Sequence, residues 1–301
     1  MTPSMTFVPL QSRALLAVSG PDWRSFLQGL LTQDVESLAP GEACFGGLLT
    51  PQGRLLHDLF IVGREDGAWL DVEAEHRDVL LQRLTMYRLR AKVELATDDT
   101  AIIGIFSAHS NQGQSQDGQR SALESGTISR PSSGRAGEVW VGDPRLPELG
   151  WRGYGAAAPA NVQVADEATY DTHRLGLGVP GSEDWGSEAT YPIEANFDLL
   201  GGIDFGKGCY VGQETTSRMK RRGQVKSRML PIVFEGLPPA PRTEILAGEL
   251  RAGEVLAGQR GRAMALLRLD RAAGAGLTAD GRPVRVERPA WFSAALGVEA
   301  A

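Results

Sequence analysis

Apolar residues in the first hundred positions alternate between helical and strand spacing. After Pro21, which suits a first helical turn, apolar residues recur every three to four positions, and this spacing predicts a helix over about 22–31. Two apolar runs joined by the turn Pro51-Gln52-Gly53 predict a β-hairpin, since Pro and Gly favour turns. The same patterns predict three further elements, which are a strand over 69–72, a helix over 75–90 and a strand at 93–95.

The middle of the chain loses its apolar pattern. Residues 109–137 are mostly Gln, Ser, Gly, Asp and Arg, which cannot bury enough surface to offset their own ordering entropy. We therefore predict a mobile insert there. The flanking runs 101–106 and 138–141 look like two strands of one hairpin whose tip the insert lengthens, and loop-closure entropy grows slowly enough to tolerate it.

The last quarter of the chain is rich in short β-type runs. From Val225 onward these runs are separated by Gly and Pro turns, which is typical of a small all-β barrel. Helical and strand patterns both occur before it, so the chain is expected to be an α+β protein. Its 301 residues allow two or three compact units.

Composition narrows the classes of partner. No run approaches the roughly 20 apolar residues of a membrane helix, so no membrane partner is expected. A net charge of −6 argues against a nucleic-acid partner.

The N-terminus shows neither a secretory signal nor a transit peptide pattern, and a cytoplasmic location is therefore predicted. Only Cys44 and Cys209 are present, which is too few for the four thiolates of an iron–sulfur cluster, so any cluster must be held transiently or with a partner.

The segment with the clearest chemical signals is Lys207-Gly208-Cys209-Tyr210-Val211-Gly212-Gln213-Glu214. A run without Gly or Pro follows, begins with an acidic residue, ends with cations and stops at Gly223, which predicts a helix over 213–222. Cys209 would then lie in a turn just before a helix N-terminus, where Lys207 and Arg218 favour a thiolate. A free cysteine is more often a buried, inert side chain, and Cys44 fits that description.

This segment, together with Arg218, resembles the hallmark of YgfZ-type folate-binding proteins and of their mitochondrial iron–sulfur assembly relatives, in the glycine-cleavage T-protein superfamily. Further segments fall in the family's order and cover most of the chain: Gly20-Pro21-Asp22, Pro51-Gln52-Gly53-Arg54, Tyr87-Arg88-Leu89-Arg90, Asp143-Pro144-Arg145 and Arg174-Leu175-Gly176. The resemblance implies an α+β, three-lobed T-protein-like fold with a small C-terminal β-barrel. It also implies tetrahydrofolate, or a derivative, in a central pocket.

The implied organisation has four segments. Residues 1–100, with part of 160–225, form an N-terminal folate-binding lobe. Residues 101–160 form a second α+β lobe that contains the mobile insert. Residues 161–227 contain the cysteine motif, and residues 228–301 form the barrel.

The resemblance also assigns ligand contacts. Glu194, in Pro192-Ile193-Glu194-Ala195, matches the glutamate that the superfamily presents to the pterin ring, and a carboxylate can accept two hydrogen bonds from an aminopyrimidine edge. Arg228 resembles a strand arginine near the folate, and Asp58 fills one acidic position. Lys207 and Arg218 complete the predicted folate-binding set, whereas Cys209 is the predicted catalytic residue and no metal ligand is predicted. An exposed turn glutamate is the alternative for Glu194.

The resemblance implies a folate-dependent protein that acts in assembly or repair of iron–sulfur enzymes, with assembly or client proteins as partners. The alternative is an aminomethyltransferase-like enzyme. That reaction requires a second carboxylate beside Asp58, and His57 occupies its position, which argues against the transferase. We interpret His57 and Asp58 instead as a strand-edge polar pair. A thiol hydrolase that pairs Cys209 with a histidine, and an interaction protein with a vestigial folate site, are further alternatives.

Overall fold

The computed structural model describes residues 5–107, 130–131, 134–186, 188–223, 225–273 and 276–296. These residues form two compact units. The first unit comprises Met1–Trp23, Ser37–Cys44 and Phe60–His173, and the second comprises Arg24–Glu36, Phe45–Leu59 and Arg174–Ala301, as far as their residues are described. The segment boundaries inferred from the resemblance stay a prediction.

The elements up to residue 176 alternate between strands and short helices. In chain order they are β1 Met5–Pro9, β2 Arg13–Ser19, α1 Trp23–Gln28, β3 Ala43–Leu49, β4 Leu55–Arg64, β5 Gly67–Glu73, α2 Arg77–Arg88, β6 Glu94–Asp98, β7 Ile102–Ser107, β8 Val139–Gly142, β9 Trp151–Tyr154, β10 Gln163–Val164 and α3 Glu167–Gly176. Single turns of 3-10 helix occur at Ala74–His76, Pro147–Leu149 and Ser182–Asp184.

The remaining elements are one helix and a barrel. They are α4 Gln213–Arg222, β11 Ser227–Val233, β12 Glu244–Ala247, β13 Leu250–Gln259, β14 Arg262–Arg268, α5 Leu269–Ala272, β15 Leu277–Ala279, β16 Arg282–Val286 and α6 Ala290–Leu296. The six strands close in the order β11-β14-β13-β12-β15-β16 around a core of buried aliphatic side chains, so the predicted barrel is confirmed.

Two five-stranded sheets precede the barrel, with orders β10-β1-β7-β9-β8 and β3-β4-β5-β2-β6. The predicted hairpin of β3 and β4 is present. The predicted pairing of the strands that flank the insert is wrong, because β7 pairs with β1 and β9, and β8 pairs with β9 rather than with β7. Strand β9 therefore lies between the two. The insert predicted over 109–137 lies, for most of its length, outside the described residues.

Helices α1 and α2 are shorter than predicted. Helix α1 ends at Gln28, and α2 begins only at Arg77. Leu80 and Leu84 form the buried face of α2, whereas Val79 is 51% exposed. No helix in the described ranges is both long and apolar enough to span a bilayer.

The first unit encloses a buried charge cluster around Asp71. Its carboxylate accepts hydrogen bonds from Arg13 Nε at 2.7 Å, Arg152 NH1 at 2.9 Å and the Tyr154 hydroxyl at 3.0 Å. Burial and the Asp71 charge together hold the pKa of Tyr154 well above its usual range, so the phenol stays protonated and donates. Every oxygen of the buried carboxylate is thereby paired within the unit.

Candidate functional site

Cys209 lies exposed in a loop of the second unit that is fixed on its N-terminal side. The Asp204 N–H donates to Thr32 O at 3.0 Å, and Asp204 Oδ1 accepts the N–H groups of Gly206 at 2.6 Å and Lys207 at 3.2 Å. The loop therefore turns around a side-chain carboxylate, in the manner by which Asp stabilises tight turns.

The C-terminal side of the loop is fixed as well. Tyr210 is buried, its N–H donates to Gln213 Oε1 at 3.2 Å, and the Val211 N–H donates to Gly29 O at 3.2 Å. Burial raises the pKa of Tyr210 to about 12, which keeps its side chain neutral. The thiol thus projects to solvent from a backbone that is anchored on both sides.

Helix α4 follows this loop with the bounds that the sequence predicts. Gly212 precedes it with φ 81°, and a Cβ at this position would lie 2.4 Å from Thr50 O. Only glycine satisfies both the left-handed conformation and this close approach. Gly223 ends the helix with φ 64°, and its N–H donates to Lys220 O at 3.1 Å. The predicted helix over 213–222 is confirmed, and Cys209 lies in the loop that precedes it.

The ammonium of Lys207 is directed at the chain that follows α1. Its Nζ donates to Gln28 O at 2.9 Å, Leu31 O at 2.6 Å and Gln33 O at 2.8 Å. Three carbonyls match the three donors of an ammonium group, and a cation at a helix C-terminus is favourable. The predicted ligand role of Lys207 stays a prediction, and these contacts favour a structural one, in which Lys207 fastens the cysteine loop.

An open groove lies beside α4 in the second unit. Its volume is about 510 Å³, and it is lined by Phe205, Gln213, Glu214, Ser217, Lys220 and Arg221. The ammonium of Lys220 lies 5.0 Å from the Phe205 ring centroid, within cation–π range. Arg218, predicted to bind folate, makes a solvent-exposed ion pair with Glu214, 2.5 Å between NH2 and Oε1. Its lining includes Phe205, which precedes Cys209 in sequence, and Gln213, which follows it.

Glu194 lies half-buried in a turn of the second unit. Its Oε2 accepts the Tyr191 N–H at 3.0 Å, and within the described ranges its Oε1 accepts no hydrogen bond. Burial raises the pKa of Glu194, and the Tyr191 N–H and the Arg54 charge offset this only in part. The Arg54 guanidinium stacks at 4.0 Å over the Tyr191 ring. The turn therefore holds a poorly solvated carboxylate with one oxygen open.

Arg228, in β11, holds this turn through hydrogen bonds. It is 2% exposed, and its NH1 donates to Ile193 O at 3.0 Å and Asn196 Oδ1 at 3.1 Å. Both carboxylate oxygens of Asp198 accept from Arg228 at 2.8 Å, which is a bidentate pair. Its Nε is buried and has no hydrogen-bond partner among the described atoms. These contacts give Arg228 a positioning role for Glu194, while its direct contact with folate stays a prediction.

Asp58 and His57 lie on β4 and are buried. The interpretation of this pair as a strand-edge pair is wrong, because β4 lies between β3 and β5 in the sheet. A ligand role for Asp58 stays a prediction.

Apart from Asp58, the predicted site residues fall into two groups in the second unit. Lys207, Cys209 and Arg218 share the loop and α4, whereas Arg228 holds the turn that contains Glu194. The sequence analysis did not identify Arg54, whose charge acts on Glu194, or Asp198, which pairs with Arg228. Arg54 belongs to the segment Pro51-Gln52-Gly53-Arg54 that carries the family resemblance, whereas no sequence pattern pointed to Asp198. Across the described ranges, no group of three or more His, Cys, Asp and Glu side chains could hold a metal ion.

Comparison with known proteins identifies both the barrel and the fold. Residues 226–294 match the family "CAF17, C-terminal beta-barrel domain". The crystal structure of glycine cleavage system aminomethyltransferase T from Bartonella henselae superposes with a TM-score of 0.73 over 96% of this chain and 86% of that one, at 16% identity. The chain therefore has the T-protein fold, as expected.

Curated relatives share the name iron–sulfur cluster assembly factor IBA57. The homologue from Coccidioides immitis is 34% identical over 253 residues, which are 76% of this chain and 57% of that protein. The Neurospora crassa homologue is 35% identical over 76% of this chain and 54% of its own length. The Homo sapiens protein is 29% identical over 86% of this chain and 76% of its own length. The chain thus spans little more than half the length of these fungal relatives.

These relatives correct one prediction from the sequence. Each of the three is named as mitochondrial, so the prediction of a cytoplasmic location is wrong. The error arose because a location was deduced from the composition of the first residues, and that composition does not decide the compartment. The YgfZ-type assignment stays a prediction, since the relatives named here have another name.

Proposed function

We propose that this chain, which has the T-protein fold and homologues named as iron–sulfur cluster assembly factors, acts in the assembly or repair of iron–sulfur proteins through Cys209. The observation that carries this proposal is an exposed thiol on a loop anchored at both ends. Structural cysteines are buried and inert, whereas reactive cysteines are accessible to solvent, as Cys209 is.

The number of cysteines shapes the proposed role. A thiolate is the form of cysteine that binds iron, and clusters are usually held by four protein ligands. Cys209 alone cannot hold a cluster, so a carrier or client protein supplies the other ligands while Cys209 contacts the cluster or the client's cysteines. The groove beside α4, with Phe205 and Lys220 on its walls, gives such a partner a surface on the helix that follows the cysteine loop.

We further propose that reduced folate binds at Glu194. The turn fits the pteridine chemistry, because Glu194 is poorly solvated, has an open oxygen and can accept hydrogen bonds from an aminopyrimidine edge. Arg228 and Asp198 hold the turn in place, and Arg54 lies beside it as a positive charge. Tetrahydrofolate, when bound, carries one-carbon units; the residues of this chain bind and orient it.

Complementation tests the role of Cys209. In cells that lack the protein, the activity of iron–sulfur enzymes should fall, and the wild-type chain should restore it. Cys209→Ala should not restore activity although it accumulates to the wild-type level. Cys44→Ala is the matched control, because Cys44 is half-buried in β3, and it should restore activity. Full restoration by Cys209→Ala would overturn the proposal.

A further inference from the structure

The short turn after α2, in the first unit, holds a leucine in an unusual conformation. Leu89 has φ 44° and ψ −103°, and it is 88% exposed. A bulky residue with positive φ is a genuine outlier, and such a conformation persists only where the surrounding structure imposes it. The exposed side chain gains nothing from burial that would offset this strain.

Hydrogen bonds hold the backbone on both sides of Leu89. The Ala91 N–H donates to Arg88 O at 2.8 Å, which closes a turn around the leucine. The Lys92 N–H donates to Asp22 Oδ2 at 2.7 Å, and the Asp22 N–H returns a bond to Lys92 O at 3.4 Å. The turn is therefore fastened to the neighbouring loop, and Leu89 projects from a fixed backbone rather than from a loose loop.

Helix α2 and the turn that follows it expose both apolar and cationic side chains. Val79 and Met86 are two helical turns apart on α2, so they share a face, and they are 51% and 69% exposed. Arg88, Arg90 and Lys92 are all exposed, and no acidic residue interrupts the run from 88 to 92. We name these six residues, Val79, Met86, Arg88, Leu89, Arg90 and Lys92, the Leu89 surface.

We propose that the Leu89 surface docks a partner protein that offers an apolar socket rimmed by carboxylates. Leu89 would fill the socket as an anchor, and the three cations would pair with the acidic rim, since charge complementarity guides encounter and fixes register. The proposal rests on the first unit alone and does not depend on Cys209 or on folate.

The fixed geometry favours a protein over a lipid surface. A bilayer is fluid and accepts a leucine in any orientation, so a strained backbone would contribute nothing to membrane binding. A preformed socket accepts one orientation, and a side chain that is already positioned loses less entropy on binding.

Photocrosslinking in cells identifies the occupant. The full chain carries benzoylphenylalanine in place of Leu89, and the matched control carries it in place of Leu237, which is 64% exposed in the second unit. The expected result is an adduct at position 89, absent at 237, whose crosslinked peptide mass spectrometry places at an apolar pocket rimmed by Asp and Glu side chains. A crosslinked peptide from any other kind of surface overturns the proposal. An adduct with lipid, with nucleic acid or with a second copy of this chain overturns the proposal, as does any pattern shared with the control.

Binding of the purified partner then separates docking from folding. We expect Leu89→Gly to weaken the affinity by about tenfold or more, and Arg88→Glu with Arg90→Glu to weaken it and reduce its salt dependence. Leu89→Gly should leave the melting temperature unchanged or raise it, because glycine adopts positive φ without strain. A lower melting temperature with unchanged affinity would mean that Leu89 serves only the fold, and would overturn the proposal.

Discussion

Two carboxylates in different units differ in how completely their oxygens are hydrogen-bonded. Asp71 in the first unit is fully buried, and Arg13, Arg152 and Tyr154 satisfy both of its oxygens. Glu194 in the second unit is only half-buried, yet one oxygen stays open and its pKa is raised. A fully paired buried charge holds the fold together, whereas an underpaired one lowers stability and is the kind of group found at binding sites.

The cationic partners differ in the same way. Arg152 and Arg13 converge on the carboxylate that they neutralise, whereas Arg228 pairs with Asp198 and with the backbone of the turn and does not neutralise Glu194. Arg228 thus acts on the position of Glu194 rather than on its charge. The second unit keeps a carboxylate with one open oxygen, at some cost in stability.

The largest effect is expected from Asp71→Asn. This change keeps the shape of the side chain but removes the negative charge that Arg13 and Arg152 share, while Arg152 keeps its ion pair with Asp143. The free energy of unfolding should therefore fall by about 3 kcal/mol. Urea denaturation of the purified protein measures this. A loss of less than about 1 kcal/mol would show that the cluster around Asp71 does not hold the first unit together.

Lys207→Met should have an intermediate effect. The apolar stem is kept while three charge-assisted hydrogen bonds to carbonyls are lost, which should lower the free energy of unfolding by about 2 kcal/mol. Arg218→Ala, which removes a solvent-exposed ion pair, is the control and should change it by less than about 0.5 kcal/mol. Equal effects of the two changes would contradict the structural role of Lys207.

Several of these features were predictable from the sequence and others were not. The bounds of α4 followed from local signals, because Gly212 and Gly223 end the run on either side. The acceptors of Lys207 were invisible, since they lie more than 170 residues away in sequence and are backbone atoms. The same limit explains the wrong pairing of β7 with β8, because apolar alternation identifies strands but does not say which strand lies between them.

The smallest effect is expected from Glu194→Gln, and it should depend on pH. Because the folded-state pKa of Glu194 is raised, its protonated form stabilises the fold below the ordinary glutamate range, and this contribution is lost as pH rises through the raised value. At neutral pH the variant should therefore melt higher than the wild type, by on the order of 1 °C, with the difference shrinking in acid. A variant that melts lower at neutral pH would mean that the ionised carboxylate stabilises the turn.

Calorimetric titration of tetrahydrofolate into the wild-type protein and into Glu194→Gln, at neutral pH and under reducing conditions, tests most directly whether the underpaired carboxylate is a ligand site. The account predicts saturable binding to the wild type and a loss of about tenfold or more in affinity for the variant, which corresponds to about 1.4 kcal/mol. Equal affinity in the two proteins, or no binding to either, would contradict it.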